Sequence, residues 1–142
     1  MPRKSIGAAL KKLVVSRAGG YCEYCKSPAD FATEPFSIEH IIPRAKQGGD
    51  EDSNLAYACI GCNVYKSDQT ESLDVVSQEV TTLFNPRVMV WSEHFSWDTS
   101  VTKLIGKTAC GRATIEALRL NRRPLVNLRR ALIAIGEHPP VI

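Results

Sequence analysis

Two Cys-x-x-Cys turns, Cys22-Glu23-Tyr24-Cys25 and Cys59-Ile60-Gly61-Cys62, bracket the stretch Phe36-Ser37-Ile38-Glu39-His40-Ile41-Ile42-Pro43-Arg44. Each turn lets two sulfurs reach one ion, and four thiols in two such pairs suit one closed tetrahedral zinc site. The pairs come from distant segments. A shared metal would therefore fasten the two ends of the enclosed chain to each other. It would also add folding free energy to a domain with a limited core. The competing readings are redox thiols and unliganded core cysteines; two pairs together favour zinc. Cys110 is left over and is expected as a small buried residue.

The bracketed segment carries a second set of polar groups. Phe36 to Ile42 is β-prone and is closed by Pro43. Gln47 to Ser53 holds Gly48-Gly49 among polar residues and is expected as an exposed turn. Asn54 to Cys59 returns as a short strand, and a helix is expected from about Ile60, with Asn63 and Lys66 three apart on one face. The order is strand, turn, strand, helix. Glu39 offers a hard anionic oxygen suited to Mg²⁺ or Mn²⁺. An imidazole titrates near neutral pH, which makes His40 a candidate base. Neighbours on a regular strand face opposite ways, so Glu39 and His40 share one site only if the strand bends or the substrate lies at its edge. The competing readings are a turn or cap role for Asn54, a knuckle role for Asn63 and a solvated side chain for Lys66.

Outside the bracket, residues 5–18 are expected as a helix. Ile6, Leu10, Leu13 and Val14 form one stripe, Ser5 is the candidate N-cap and Gly19-Gly20 a stop. Residues 72–82 are read as helical or irregular, and Leu83-Phe84-Asn85-Pro86-Arg87 as a break. Residues 95–107 are β-prone around a turn at 98–100. Thr108 is the expected cap of a helix through Leu118. Asn121 is the expected cap of another, with Pro124 in its first turn and Leu125, Leu128, Leu132 and Ile135 on its core face. The expected class is α+β: residues 1–82 as a core with an N-terminal helix, and residues 83–142 as a mixed strand and helix extension packed on it.

With 142 residues the chain is sized for one domain with an appendage. No stretch reaches the roughly 20 apolar residues of a membrane span. Lys11 and Lys12 interrupt the apolar run near the start, which argues against a signal peptide. A cytoplasmic location is expected, where paired thiols are more often zinc ligands than disulfides. The net charge of +3 decides nothing, but Arg112, Arg119, Arg122, Arg123, Arg129 and Arg130 crowd the last third. They could meet nucleic-acid phosphates. They could equally pair with Asp68, Glu71, Asp74 and Glu116 to dock the extension.

Taken together, Cys22-x2-Cys25, Glu39-His40-Ile41-Ile42-Pro43-Arg44, Gly48-Gly49, Asn54-Leu55 and Cys59-x2-Cys62-Asn63-x2-Lys66 resemble the HNH endonuclease family, specifically its zinc-stapled ββα-metal branch. The residues from Leu83 to Arg122 are similar to an extension found on some bacterial HNH proteins. The resemblance implies a metal-dependent endonuclease acting on DNA with low sequence specificity. It implies His40 as general base and Asn54 as the residue that steadies the loop and the histidine. A catalytic Mg²⁺ or Mn²⁺ would be held by Glu39 and Asn63, beside a structural zinc on Cys22, Cys25, Cys59 and Cys62. Glu39 stands where aspartate is commoner. Lys66, Arg44, Arg122 and Arg123 are candidate phosphate contacts, with a local pair as the alternative for Lys66. The alternative is a catalytically inactive zinc-stapled DNA-binding module. A deaminase is excluded because the order here is Glu-His and Ala58 precedes Cys59. The sequence is silent on oligomeric state.

Overall fold

The structure, a computed structural model, describes residues 5–141. The basic residues Arg3 and Lys4 lie outside the described residues. Helix α1 spans Ala8–Arg17 with Gly7 as its N-cap. Ser5 therefore precedes the helix and does not cap it. Val14 is its one buried residue, whereas Leu13 is exposed, so the expected stripe narrows to a line of contact. Arg17 fastens the helix by donating to the carbonyls of Asp52 and Leu55.

Strand β1 (Ser37–His40) pairs antiparallel with β2 (Leu55–Ala58), with Glu39 opposite Ala56 and His40 opposite Leu55. Helix α2 (Ile60–Lys66) follows directly. Cys59 is its N-cap, and the Cys59 sulfur accepts from the Cys62 N–H. One residue thus starts the helix and faces the cysteine cluster. The strand, turn, strand, helix order expected from the bracketed segment is present.

Residues 71–82, of which 72–82 are expected as helical or irregular, instead form a hairpin, β3 (Glu71–Asp74) with β4 (Glu79–Thr82). Its turn is built by Asp74, whose carboxylate accepts the N–H groups of Val76 and Ser77, an Asx-type turn that holds two valines where β-propensity would not place them. Helix α3 (Trp91–His94) leads into β5 (Phe95–Trp97), which pairs with β6 (Leu104–Gly106) across the turn anchored by Asp98. Helix α4 (Ala109–Leu118) carries the expected Thr108 cap, whose hydroxyl accepts from Gly111 N–H. Helix α5 (Arg123–Ala134) has Arg122 as its N-cap. Asn121, the expected cap, instead bonds both the N–H and the carbonyl of Leu104 and so holds β6. Leu125 and Leu132 of the expected stripe are buried, but Ile135 is exposed.

One apolar cluster runs through the whole fold, from the cysteines and Tyr24 through Ile41 and Ala56 to Phe84, Trp91, Phe95, Leu118 and Leu125. Phe84 meets Tyr24 edge-on at 6.4 Å and Phe95 at 5.4 Å, while Trp91 Nε1 donates to the Tyr24 carbonyl. These aromatics seat the segment after residue 82 on the first cysteine turn. Truncating one of the buried large rings should cost about 3–5 kcal/mol. No helix among the described residues is long and apolar enough to cross a membrane.

Candidate metal centre and His40 groove

The sulfurs of Cys22, Cys25, Cys59 and Cys62 all lie within 4.8 Å of one another, buried, and none forms a disulfide. Tight turns aim them there. The Cys22 N–H bonds the Ser27 carbonyl, the Lys26 N–H bonds the Cys22 carbonyl, and Lys26 takes a positive φ of 62°. A soft set of four clustered, buried sulfurs fits zinc, which binds thiolates in fours. Burial pushes the Cys22 thiol up, whereas hydrogen bonds from Cys22, Cys25 and Cys62 hold that of Cys59 far down.

Arg122 packs against these sulfurs. Its guanidinium lies 3.6 Å from the Cys59 sulfur and 3.7 Å from that of Cys62, and it also donates to the carbonyls of Leu118 and Arg119. Burial alone would lower its pKa, but the Cys62 and Cys25 thiolates outweigh this and hold it above the ordinary arginine value. Gly61 makes the approach possible, since a Cβ there would come within 2.5 Å of Arg122 Nη2. Arg122, a candidate phosphate contact or docking residue by sequence, is turned into the cysteine cluster.

Glu39 and His40 face opposite sides of β1, as regular strand geometry requires. Glu39 points inward and is 4% exposed. Its Oε2 accepts from the Tyr24 hydroxyl at 2.7 Å and its Oε1 sits 2.5 Å from the Lys66 ammonium, an ion pair without an aligned hydrogen bond. Burial raises the Glu39 pKa, partly offset by Lys66 and Tyr24. Lys66, only 1% exposed, also donates to the Ile41 carbonyl at 2.8 Å and to that of His40 at 3.4 Å. Of its two candidate places, on a phosphate or in a local pair, it takes the second: it ties the end of α2 to the end of β1. As folded, these residues do not fit a divalent cation at Glu39, because an ammonium already neutralises the one anionic donor. Asn63 lies half-buried on α2, and no hydrogen bond joins it to Glu39 or His40 among the described residues.

His40 lies on the other face, at the edge of a groove of about 560 Å³ between β1 and α1, lined also by Lys11, Ser37, Arg44 and Tyr57. Its Nε2 is 2.8 Å from Asp50 Oδ1, and the same oxygen accepts from Arg44 Nε at 3.0 Å, with Arg44 Nη2 in ion-pair contact at 2.9 Å. Hydrogen bonds from His40 and Arg44 lower the Asp50 pKa. Asn54 staples the loop that carries Asp50. Its Nδ2 donates to the carbonyls of Ile42 and Gly49, and its Oδ1 accepts from the Ile42 N–H. Gly48 is needed here because a Cβ would overlap the Ile42 carbonyl.

The residues that sequence reasoning missed are Asp50, Tyr24 and Lys11. Asp50 sits in the run Asp50-Glu51-Asp52, which reads only as a polar turn; its place directly after Gly48-Gly49 was the one available signal. The remaining tail arginines divide. Arg112 grips buried Asp74 through two bonds of 3.0 and 2.9 Å, and Arg129 is buried beside the Trp97 ring and donates to the Thr102 carbonyl. Arg123 is exposed on α5.

The α+β fold, with a strand, turn, strand, helix unit beside four clustered cysteines, is consistent with a zinc-binding variant of the HNH domain. Residues 22–69 match the family model described as HNH endonuclease. No curated protein matches the chain.

Proposed function

We propose that this protein is an endonuclease that hydrolyses DNA phosphodiester bonds, with His40 as its general base. The observation that supports this most is the placement of His40 at the edge of an open groove with Lys11 and Arg44 beside it, inside the matched HNH segment. A phosphodiester in that groove lies next to positive charge. His40 takes a proton from a water; the water oxygen bonds to phosphorus, the P–O3′ bond breaks, and O3′ takes a proton from solvent. The products are a 5′-phosphate and a 3′-hydroxyl. A base in this role is worth roughly 10²–10⁴-fold in rate.

Asn54 holds the loop, and Lys66 holds the His40 backbone from behind. Arg44 and Arg123 are proposed phosphate contacts, Arg44 from within the groove and Arg123 from α5. The proposed contacts are to phosphates and not to base edges, which favours low sequence specificity; a cytoplasmic location is likewise a proposal. The domain division at residue 82 is likewise a proposal, with one core crossing it. The resemblance also implies a catalytic Mg²⁺ or Mn²⁺ on Glu39 and Asn63. The Glu39–Lys66 pair stands against that ligand set, so no step above is routed through the ion.

The same closed pair favours a second reading, a zinc-stapled DNA-binding module without catalysis. Supercoiled plasmid incubated with the protein, with and without added Mg²⁺ or Mn²⁺, separates the two. Nicked or linear product is expected. Binding without any cleavage in every metal condition would leave the module reading.

A further inference from the structure

We propose that Asp50 is the positioning residue for His40. It takes the Nε2–H of the imidazole and so leaves the Nδ1 lone pair free for the attacking water. This rests on the reading of His40 as the base.

A neutral imidazole has one donor and one acceptor nitrogen, and the partner of one sets the chemistry of the other. A carboxylate accepts and does not donate. With Asp50 Oδ1 at 2.8 Å from Nε2, the proton resides on Nε2. Arg44 donates its Nε–H to that same oxygen at 3.0 Å, with Nη2 in ion-pair contact at 2.9 Å, and so fixes it toward the ring. The distance is set from below. Asn54 binds Ile42, two residues after His40, and Gly49, one residue before Asp50. His40 and Asp50 are thereby held by one side chain across the loop. Gly48 lets the loop fold back onto the Ile42 carbonyl. The rival is an ordinary surface ion pair between Asp50 and Arg44 that touches His40 by chance. The Asp50 side chain is 42% exposed, and exposed pairs contribute little to stability.

The two accounts differ in what Asp50→Asn does. An amide can donate its N–H to Nε2 and draw the imidazole into the other tautomer. The test has two readouts on the zinc-loaded protein. Nitrogen-15 NMR of the His40 ring reports which nitrogen carries the proton, independently of cleavage. Plasmid cleavage reports kcat and KM separately. The expected results are an Nε2–H tautomer in the wild type, a shift toward Nδ1–H in Asp50→Asn, and a fall in kcat on the order of 10–10²-fold with KM little changed. Asp50→Glu should recover part of kcat. An unchanged tautomer together with unchanged kcat in Asp50→Asn overturns the inference. So does a fall in melting temperature with kcat intact, which marks a loop staple. His40→Ala serves as the control. If it cleaves as well as the wild type, the reading of His40 as base has failed, whereas loss in His40→Ala with no loss in Asp50→Asn condemns the Asp50 proposal alone.

Discussion

The cysteine cluster and the His40 groove lie on either side of the same short hairpin and are built in opposite ways. The cluster is buried, and its charge is answered by Arg122 from the far end of the chain. The groove is open, and every residue braced around His40 lies within residues 40–66. A residue from the last third of the chain answers the first, whereas the braces of the second all come from the hairpin and the helix after it. The difference separates two jobs: one region keeps the fold, and the other can tolerate changes that alter chemistry alone. Mutations should sort accordingly.

The largest effect is expected at the cluster. Cys59→Ser should lose zinc and unfold much of the chain, because structural zinc supplies on the order of 10–16 kcal/mol of apparent binding free energy in small domains. Metal analysis and circular dichroism on the same sample check this; a folded protein without zinc would end the comparison. Next comes the buried ion pair behind β1. Glu39→Ala leaves the Lys66 ammonium buried without its partner, at a cost of about 3–5 kcal/mol, read by denaturant unfolding. Zinc should stay bound, since none of the four sulfurs is touched. If Glu39→Ala instead left stability unchanged and raised the Mg²⁺ needed for cleavage, Glu39 would be an open metal ligand after all.

Arg122→Ala sharpens the contrast further. Removing an outer partner of a metal ligand set typically costs 10–100-fold in metal affinity. Faster zinc transfer to a chelator is expected, with an unchanged salt dependence of DNA binding. A flattened salt slope, by about one unit, would restore Arg122 to a phosphate. The smallest effect concerns pH. Arg112 holds the Asp74 carboxyl well below the usual carboxylate range. A depressed acid contributes stability that is complete above its unfolded value, roughly 4, and is lost as pH falls toward the depressed one. Stability of the wild type should therefore fall in acid more steeply than that of Asp74→Asn, as followed by melting temperature below about pH 4.

Much of the cluster and hairpin was legible because metal-ligand spacing and strand-breaking residues are local signals. The Thr108 cap and the turn at residues 98–103 were equally local. Partner choice was not. Nothing in the sequence separates Arg122, which meets the cysteine sulfurs, from Arg123 beside it, which is exposed; only the packing of the Arg122 side chain over Gly61 does so. Strand alternation already warned that Glu39 and His40 face apart, but Tyr24 and Lys66 as the partners of Glu39 required the tertiary fold. The hairpin at residues 71–82 escaped because its turn is made by the Asp74 side chain and not by a glycine or proline.

The most direct test of the central claim compares wild type with His40→Ala at matched zinc content and melting temperature, using supercoiled plasmid as substrate. The expected result is a loss of turnover of roughly 10²–10⁴-fold or more with DNA affinity preserved. Near-normal turnover in His40→Ala would contradict it.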